Sequence, residues 1–177
     1  MINFNQVLRR IEGSDEFKNF KRENDDSYLC SAFFVVDFES QSETKQMDYY
    51  IPAKEKIASF LVDGDIKFNI DDVFQKNNRP LKEISKNFKI DFSKAINIAK
   101  ENLDILNEEE KNKTGKIGKL QLNKIIAILQ NLNEEQIWNL TCMVGGTNMM
   151  LIHINAENGD VTKMDKADLM SFVTREK

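Results

Sequence analysis

Short segments rich in β-branched and aromatic residues, separated by turn-forming residues, constrain the fold of this chain most strongly. Residues 27–38 read SYLCSAFFVVDF, and residues 45–53 alternate so that Met47, Tyr49 and Ile51 share one face. Such patterns are typical of strands in antiparallel sheets. The first part of the chain therefore predicts four strands, over 27–38, 45–53, 56–62 and 66–70.

The second part of the chain has the same character. Residues 120–132 (LQLNKIIAILQNL) have apolar spacing that fits a helix almost as well as a strand, but the turn-like residues 133–135 that follow favour a strand. Residues 157–159 (ENG) form a second tight turn, in which Gly159 supplies a positive φ. We predict strands over 120–132, 137–144, 148–156 and 160–164, followed by a short amphipathic tail over 166–173.

Helical periodicity precedes each set of strands. The first helix is indicated by apolar residues at helical spacing, namely Phe4, Val7, Leu8 and Ile11. Gly13 ends it, and Ser14 begins a second helix that runs to about Glu23. The longest helix starts after Asp91, ends in the charged stretch 107–119, and carries an apolar stripe of Phe92, Ala95, Ile96, Ala99, Leu103 and Leu106.

The order of helix followed by strands occurs twice, which suggests an internal repeat. Residues 44–53 (TKQMDYYIPA) align without gaps with residues 147–156 (TNMMLIHINA) and share Thr, Met, Ile and Ala. We predict an α+β fold of two tandem helix-plus-antiparallel-sheet halves, residues 1–80 and 81–177, with the connector within 71–89. The 12 phenylalanines have no polar group, so we expect most of them in a shared core.

The second half resembles PepSY domains. Residues 89–103 (KIDFSKAINIAKENL) are similar to the opening helix of that family, and IWNLTCMV with IHINAENGDV is similar to its closing strands, with Asn155 where Asp is usual. The resemblance covers about 89–164, with the first half as a degenerate copy, and implies a PepSY/cystatin-like fold. Known members include propeptides, inhibitory modules of secreted metallopeptidases and membrane-linked regulators, which implies binding and not catalysis.

Composition narrows the class of partner. Net charge is −4 and no run of Lys or Arg stands out, which argues against nucleic acid and against an anionic membrane surface. The first residues lack the pattern of a signal peptide, and no stretch of about 18 apolar residues is present. With two cysteines in apolar, strand-like surroundings, Cys30 and Cys142, we expect a reducing, cytoplasmic location.

No motif for catalysis, a cofactor or a metal is recognised. His153 is the single histidine and lies in a predicted strand, so we expect a structural role. The cysteines lack Cys-x-x-Cys spacing, although their closeness in space is left open. Residues 115–119 (GKIGK) lack the spacing of a phosphate-binding loop, and residues 155–160 lack that of a calcium loop. We therefore predict no catalytic, cofactor-binding or metal-binding residues.

These observations favour a non-enzymatic binding module that holds a protein or peptide through a sheet face or edge. The strand that ends at Pro52 is one candidate edge, because proline is tolerated at strand ends and sheet edges. Trp138 is expected to anchor the core, whereas an exposed Trp138 would indicate a contact site. Two alternatives stay open: a small-ligand carrier or enzyme with a pocket between helix and sheet, and a structural homo-oligomer.

Overall fold

A computed structural model describes residues 2–73, 81–114, 120–146 and 148–168. The fold is α+β, with eight strands in one antiparallel sheet and three α-helices in these residues. The helices are α1 (Phe4–Glu12), α2 (Asp15–Glu23) and α3 (Phe92–Thr114). The strands are β1 (Tyr28–Asp37), β2 (Ser42–Ile51), β3 (Lys56–Asp63), β4 (Asp65–Asp72), β5 (Leu122–Leu132), β6 (Glu135–Val144), β7 (Asn148–Asn155) and β8 (Val161–Asp168).

The centre of the sheet is the pair β1 and β5. The strand order is β4-β3-β2-β1-β5-β6-β7-β8, so each set of four consecutive strands runs outward from this central pair. Ser31 lies opposite Gln130 and Asp37 opposite Lys124 across the pair. These contacts join segments about a hundred residues apart, and they make one sheet from the two parts of the chain.

Local signals account for where the helices begin. Asn3 and Ser14 accept hydrogen bonds from the amides of Gln6 and Phe17, and they cap α1 and α2. Asp91 accepts from the amide of Lys94 and caps α3. The end of α3 is predicted in the charged stretch 107–119, and the helix continues through the first part of that stretch to Thr114. Residues 107–114 (NEEEKNKT) contain Glu and Lys, which favour helix once a buried stripe has anchored the preceding turns.

All three helices cover the same face of the sheet and bury one hydrophobic core. Phe17 and Phe20 of α2 pack on Tyr49 and Phe60 of the sheet. The predicted α3 stripe is buried in full. Trp138 is also completely buried, which confirms it as a core anchor. One continuous core cluster includes residues of all three helices and of seven strands, β1–β3, β5–β7 and, partly buried, β4.

The eight predicted strands are all present, with differences at their ends. The last strand continues to Asp168, so the predicted tail is wrong at residues 166–168, and 169–173 lie outside the described residues. Asp71 and Asp72 end β4 instead of opening the connector, of which 74–80 also lie outside. Pro52 ends β2 in a short 3-10 turn, but β2 lies between β1 and β3 and is not an edge.

The gapless sequence repeat does not follow the order of the strands in the sheet. Residues 44–51 belong to β2, second from the sheet centre on one side, whereas 148–155 form β7, third from the centre on the other. A two-fold relation about the β1–β5 pair would instead match β2 with β6. The aligned segments are therefore alike in strand composition and differ in position.

Candidate functional site: the open face of the sheet

The face of the sheet opposite the helices carries apolar side chains on its central strands. Ala32 and Phe34 of β1 are buried, and Phe34 packs on Phe92 of α3, so alternation turns Phe33 and Val35 to the other side. The same argument applies to Ile126 and Ile128 of β5, which lie between buried Ile125, Ala127 and Leu129. Phe33 lies opposite Ile128 and Val35 opposite Ile126. These four half-buried residues form what we call the central patch.

A carboxylate lies next to the central patch on β2. Asp48 accepts hydrogen bonds from the hydroxyl of Ser31 at 2.6 Å, from that of Ser59 at 2.8 Å and from the amide of Gln46 at 2.8 Å. Three donors satisfy the carboxylate through neutral groups, so it is held in place without a cation in these contacts. This cluster makes one border of the central patch polar and rigid.

Two pairs of opposite charges also lie on the open face. Asp37 and Lys124, at one end of the central strands, lie 2.9 Å apart. A hydrogen bond from the Ser40 amide, followed by the Lys124 contact, lowers the pKa of Asp37 to about 2. On the outer strand β8, Lys163 and Asp165 lie 3.0 Å apart. The face therefore has no excess of either charge among these pairs.

The single histidine also lies on this face. Ile152 and Ile154 are buried, so the intervening His153 faces away from the helices and is half-buried. Desolvation lowers its pKa, Lys163 acts in the same direction and Asp165 opposes them. Because these effects on balance favour the uncharged imidazole, His153 is a structural or contact residue on this face.

A cavity of about 660 Å³ opens where β1 begins and β5 ends. Its walls are partly apolar, with Ile57 of β3, Leu81 and Ile128 of β5, and partly amide-bearing, with Gln130 and Asn131. The hydroxyl of Tyr28 donates to the main-chain oxygen of Leu81 at 2.6 Å, and this contact holds Leu81 in the cavity wall. We call this space the base cavity.

A second cavity, of about 400 Å³, lies between α3 and the beginning of β5. Lys100 and Asp104 of α3 and Phe38 line it, and the Lys100 ammonium lies 5.2 Å from the centre of the Phe38 ring. This is the kind of helix–sheet pocket that the small-ligand alternative requires. The glycine-containing stretch 115–119, considered above as a phosphate loop, lies outside the described residues.

The two cysteines are free, buried and far apart. Cys30 lies on β1 and Cys142 on β6, with β5 between them. Cys142 lies opposite Ile125 of β5, which in turn lies opposite Val36 of β1. Val36 is six residues from Cys30 along β1, and this separation corresponds to about 20 Å. Since a disulfide needs Cα atoms within about 7 Å, the two cannot be bridged. Burial raises the pKa of each thiol to about 12, with Asp48 adding to the effect at Cys30.

Within the described ranges, no group of three or more His, Cys, Asp or Glu side chains is arranged to hold a metal ion. Cys142 faces the core, whereas His153 faces away from it, so the fold does not bring these two together. No helix of the described residues is both long and apolar enough to cross a membrane.

No protein-family model matches the chain. No curated protein matches it at a significant level. Its fold is similar to the crystal structure of a "putative lipoprotein" from Clostridium difficile 630, with a TM-score of 0.54 and 12% identity, covering 89% of this chain and 94% of the other. Identity this low shows a shared fold and nothing about activity.

Sequence reasoning recognised the strands and expected a sheet face or edge to bind a partner, but it did not identify the residues of the open face, and it missed the base cavity. One signal was present in the sequence. Residues 32–36 (AFFVV) and 125–129 (IIAIL) are apolar on both faces, whereas a strand with one solvent-exposed face normally alternates apolar and polar residues. The base cavity had no such signal, because its residues come from four separate parts of the chain.

Proposed function

We propose that this protein is a non-enzymatic binding module that holds a partner protein against the open face of its sheet. The observation that supports this most is the central patch: four large apolar side chains, adjacent across β1 and β5, on a face without a covering helix among the described residues. Contiguous exposed apolar surface with a polar border is characteristic of protein contact sites.

The size of the face is sufficient for a stable complex. Eight strands spaced about 4.8 Å apart, each at least 8 residues long at about 3.3 Å per residue, give about 1,000 Å². A standard interface buries about 800 Å² on each partner. A partner that covers most of the open face therefore reaches the usual size of a specific interface.

Charge and edge structure support a partner that packs on the face and does not add a strand. The pairs Asp37–Lys124 and Lys163–Asp165 leave little field to attract a polyanion. The edge strands β4 and β8 carry charged residues along their length, which opposes pairing with another strand. We accordingly favour the sheet face over the edge.

The relation to PepSY domains and the division into tandem halves belong to the same proposal. The support is that α3 followed by β5–β8 and α1–α2 followed by β1–β4 have the same element order and meet at an antiparallel pair. The aligned segments of β2 and β7 do not add to this support, because a relation between the halves would match β2 with β6. A cytoplasmic location is also proposed, supported by two buried free thiols.

A single charge on the central patch tests the proposal. Ile126→Lys introduces a cation among apolar side chains, and Asn5→Lys adds the same charge at an exposed position of α1, on the other side of the sheet. Tagged wild-type and variant chains are used to recover partners from a lysate of the native cells, with mass spectrometry as the readout. We expect a stoichiometric protein that wild type and Asn5→Lys retain and Ile126→Lys loses.

The alternatives give different results. Equal recovery by Ile126→Lys contradicts binding at the open face. A dimer mass in light scattering that Ile126→Lys reduces to a monomer identifies a homo-oligomer instead. A co-purifying small molecule, with no protein partner, supports the pocket between α3 and β5 and the ligand-carrier alternative.

A further inference from the structure

The apolar surface of the open face extends beyond the central patch toward β8. Alternation with buried neighbours places Met143 of β6 and Met149 and Leu151 of β7 on this face, and all three are half-buried. Met143 lies opposite Met149. Thr141 lies between Leu151 and Ile126 of the central patch. We give the name diagonal band to the seven apolar residues Phe33, Val35, Ile126, Ile128, Met143, Met149 and Leu151.

The diagonal band has the length and width of a short helix. From Phe33 to Met149 it crosses three strand spacings, and Met149 is level with Asp37, four residues beyond Phe33 along the strand. At about 4.8 Å per strand spacing and about 3.3 Å per residue, these steps give a length of about 20 Å. A helix rises about 1.5 Å per residue and is about 10 Å wide, so about 13 residues of helix cover the band.

The same strands already pack against a helix in this direction on their other face. Phe92, at the start of α3, packs on Phe34 of β1 with 5.3 Å between the ring centres. Further along α3, Leu106 lines a cavity together with Val144 of β6 and Met150 of β7. Therefore α3 crosses the sheet from β1 toward β7, as the diagonal band does. Strands that are apolar on both faces are characteristic of sheets between two layers of helices, and the described residues supply one such layer.

Charged pairs border the diagonal band on both sides. Asp37 and Lys124 lie beside one border, 2.9 Å apart, and Lys163 and Asp165 lie beside the other, 3.0 Å apart. Each border therefore presents one acid and one base. Such borders are complementary to a helix whose apolar stripe is flanked by both Lys and Glu, and they give no advantage to a helix of one charge.

We propose that the diagonal band binds an amphipathic helix of the partner protein, with apolar residues at positions i, i+3, i+4 and i+7 and with Lys and Glu beside them. Met143 and Met149 suit this contact, because the flexible methionine side chain adapts to the shape of its neighbours. The helix would cover about 200 Å² of the open face, so other parts of the partner would complete an interface of standard size. This inference rests on the proposed function, since it names the element of the partner that contacts the face.

The test uses the full chain and two phage-displayed libraries of sixteen-residue peptides with the same composition. One library has randomised apolar residues at helical spacing, and the other has them at alternate positions. Selected peptides are synthesised with a fluorophore, and their affinities are measured by fluorescence polarisation. Leu151→Lys places a charge in the diagonal band. Leu61→Lys is the matched control, because Leu61 of β3 lies between buried Phe60 and Val62 and so faces the same side, outside the band.

We expect enrichment from the helical library alone, with dissociation constants in the micromolar range because the contact is small. The affinity should fall at least about tenfold in Leu151→Lys and stay within about twofold in Leu61→Lys. Proline in the middle of a selected peptide should weaken binding by a similar factor, since it breaks a helix. If circular dichroism shows that Leu151→Lys does not fold, Thr141→Lys takes its place, because Thr141 lies within the band and is already polar.

Two results overturn the inference and leave the proposed function to its own test. One is enrichment from neither library, or from the alternating library alone. The other is equal affinity of the helical peptides for wild type and Leu151→Lys. A dimer in light scattering that Leu151→Lys converts to a monomer also overturns it, because the face is then covered by a second copy. If helical peptides do bind the band, but Ile126→Lys recovers the same proteins from the lysate as wild type, the proposed function fails and the helix preference of the band stands.

Discussion

The indole nitrogen of Trp138 donates a hydrogen bond of 2.7 Å to the main-chain oxygen of Ile90. Ile90 immediately precedes Asp91, which caps α3, so this bond ties β6 to the start of the longest helix. The indole ring also lies 5.5 Å from the ring of Phe92 and 6.0 Å from that of Phe34. One side chain thereby connects the helix, the central strand β1 and β6.

Replacing Trp138 should therefore lower the free energy of unfolding through two separable effects, the loss of the hydrogen bond and the loss of the buried ring. Trp138→Phe keeps an aromatic ring but leaves the Ile90 oxygen without this donor, and we expect a loss of about 1–3 kcal/mol. Trp138→Ala adds a cavity and should lose about 3–5 kcal/mol. Urea unfolding followed by circular dichroism measures both, with Phe68→Leu on edge strand β4 as a half-exposed control. A Trp138→Phe chain as stable as wild type would contradict a role for the hydrogen bond.

Gly159 should be less replaceable than Gly64. Both have positive φ, +84° and +67°, but a Cβ at Gly159 would lie 3.3 Å from Ile90 and 3.4 Å from Ile98, whereas one at Gly64 meets nothing within 4 Å. Gly64→Ala reports the backbone strain alone, about 1 kcal/mol. We expect Gly159→Ala to lose more than Gly64→Ala in thermal unfolding. A neutral result at Gly159 would reject the turn as described.

His153 should make stability fall when the pH is lowered from 7.5 to 5.5. Because burial lowers its pKa in the folded state, the unfolded chain, with a value near 6.5, binds more protons in this range. The contribution of His153 to stability is fully present above about pH 6.5 and is lost as the pH falls toward the lower pKa of the folded state. His153→Gln should flatten the profile in urea titrations at several pH values. An unchanged slope would show that the imidazole does not titrate differently on folding.

Both thiols should resist modification in the native protein. Burial raises the pKa of Cys30 and of Cys142 to about 12, so very little thiolate is present at neutral pH. Ellman's reagent should react slowly with the folded chain, then with two thiols after guanidinium is added. Fast reaction of one native thiol would contradict the described burial. Non-reducing gels should show no intramolecular disulfide under mild oxidation.

Turn and cap chemistry was readable from the sequence because it depends on a few neighbouring residues. Ser14 and Asp91 cap helices as predicted, and Gly159 has the predicted positive φ. The ambiguous segment 120–132 is confirmed as a strand. In the turn that follows, Asn133 and Glu134 both have positive φ, and this geometry lets the chain return directly from β5 into β6.

Local patterning by itself determined the α+β class, the eight strands and the side chains that become buried, since periodicity and turn preference act over about four to ten residues. Only the tertiary structure decided that β1 pairs with β5, that all helices cover one face, and that Cys30 and Cys142 lie apart. Those outcomes depend on contacts between residues far apart in the chain, such as Ser31 with Gln130. The free energy of such contacts cannot be read from any short stretch of sequence. The open face and the base cavity exist because of that pairing.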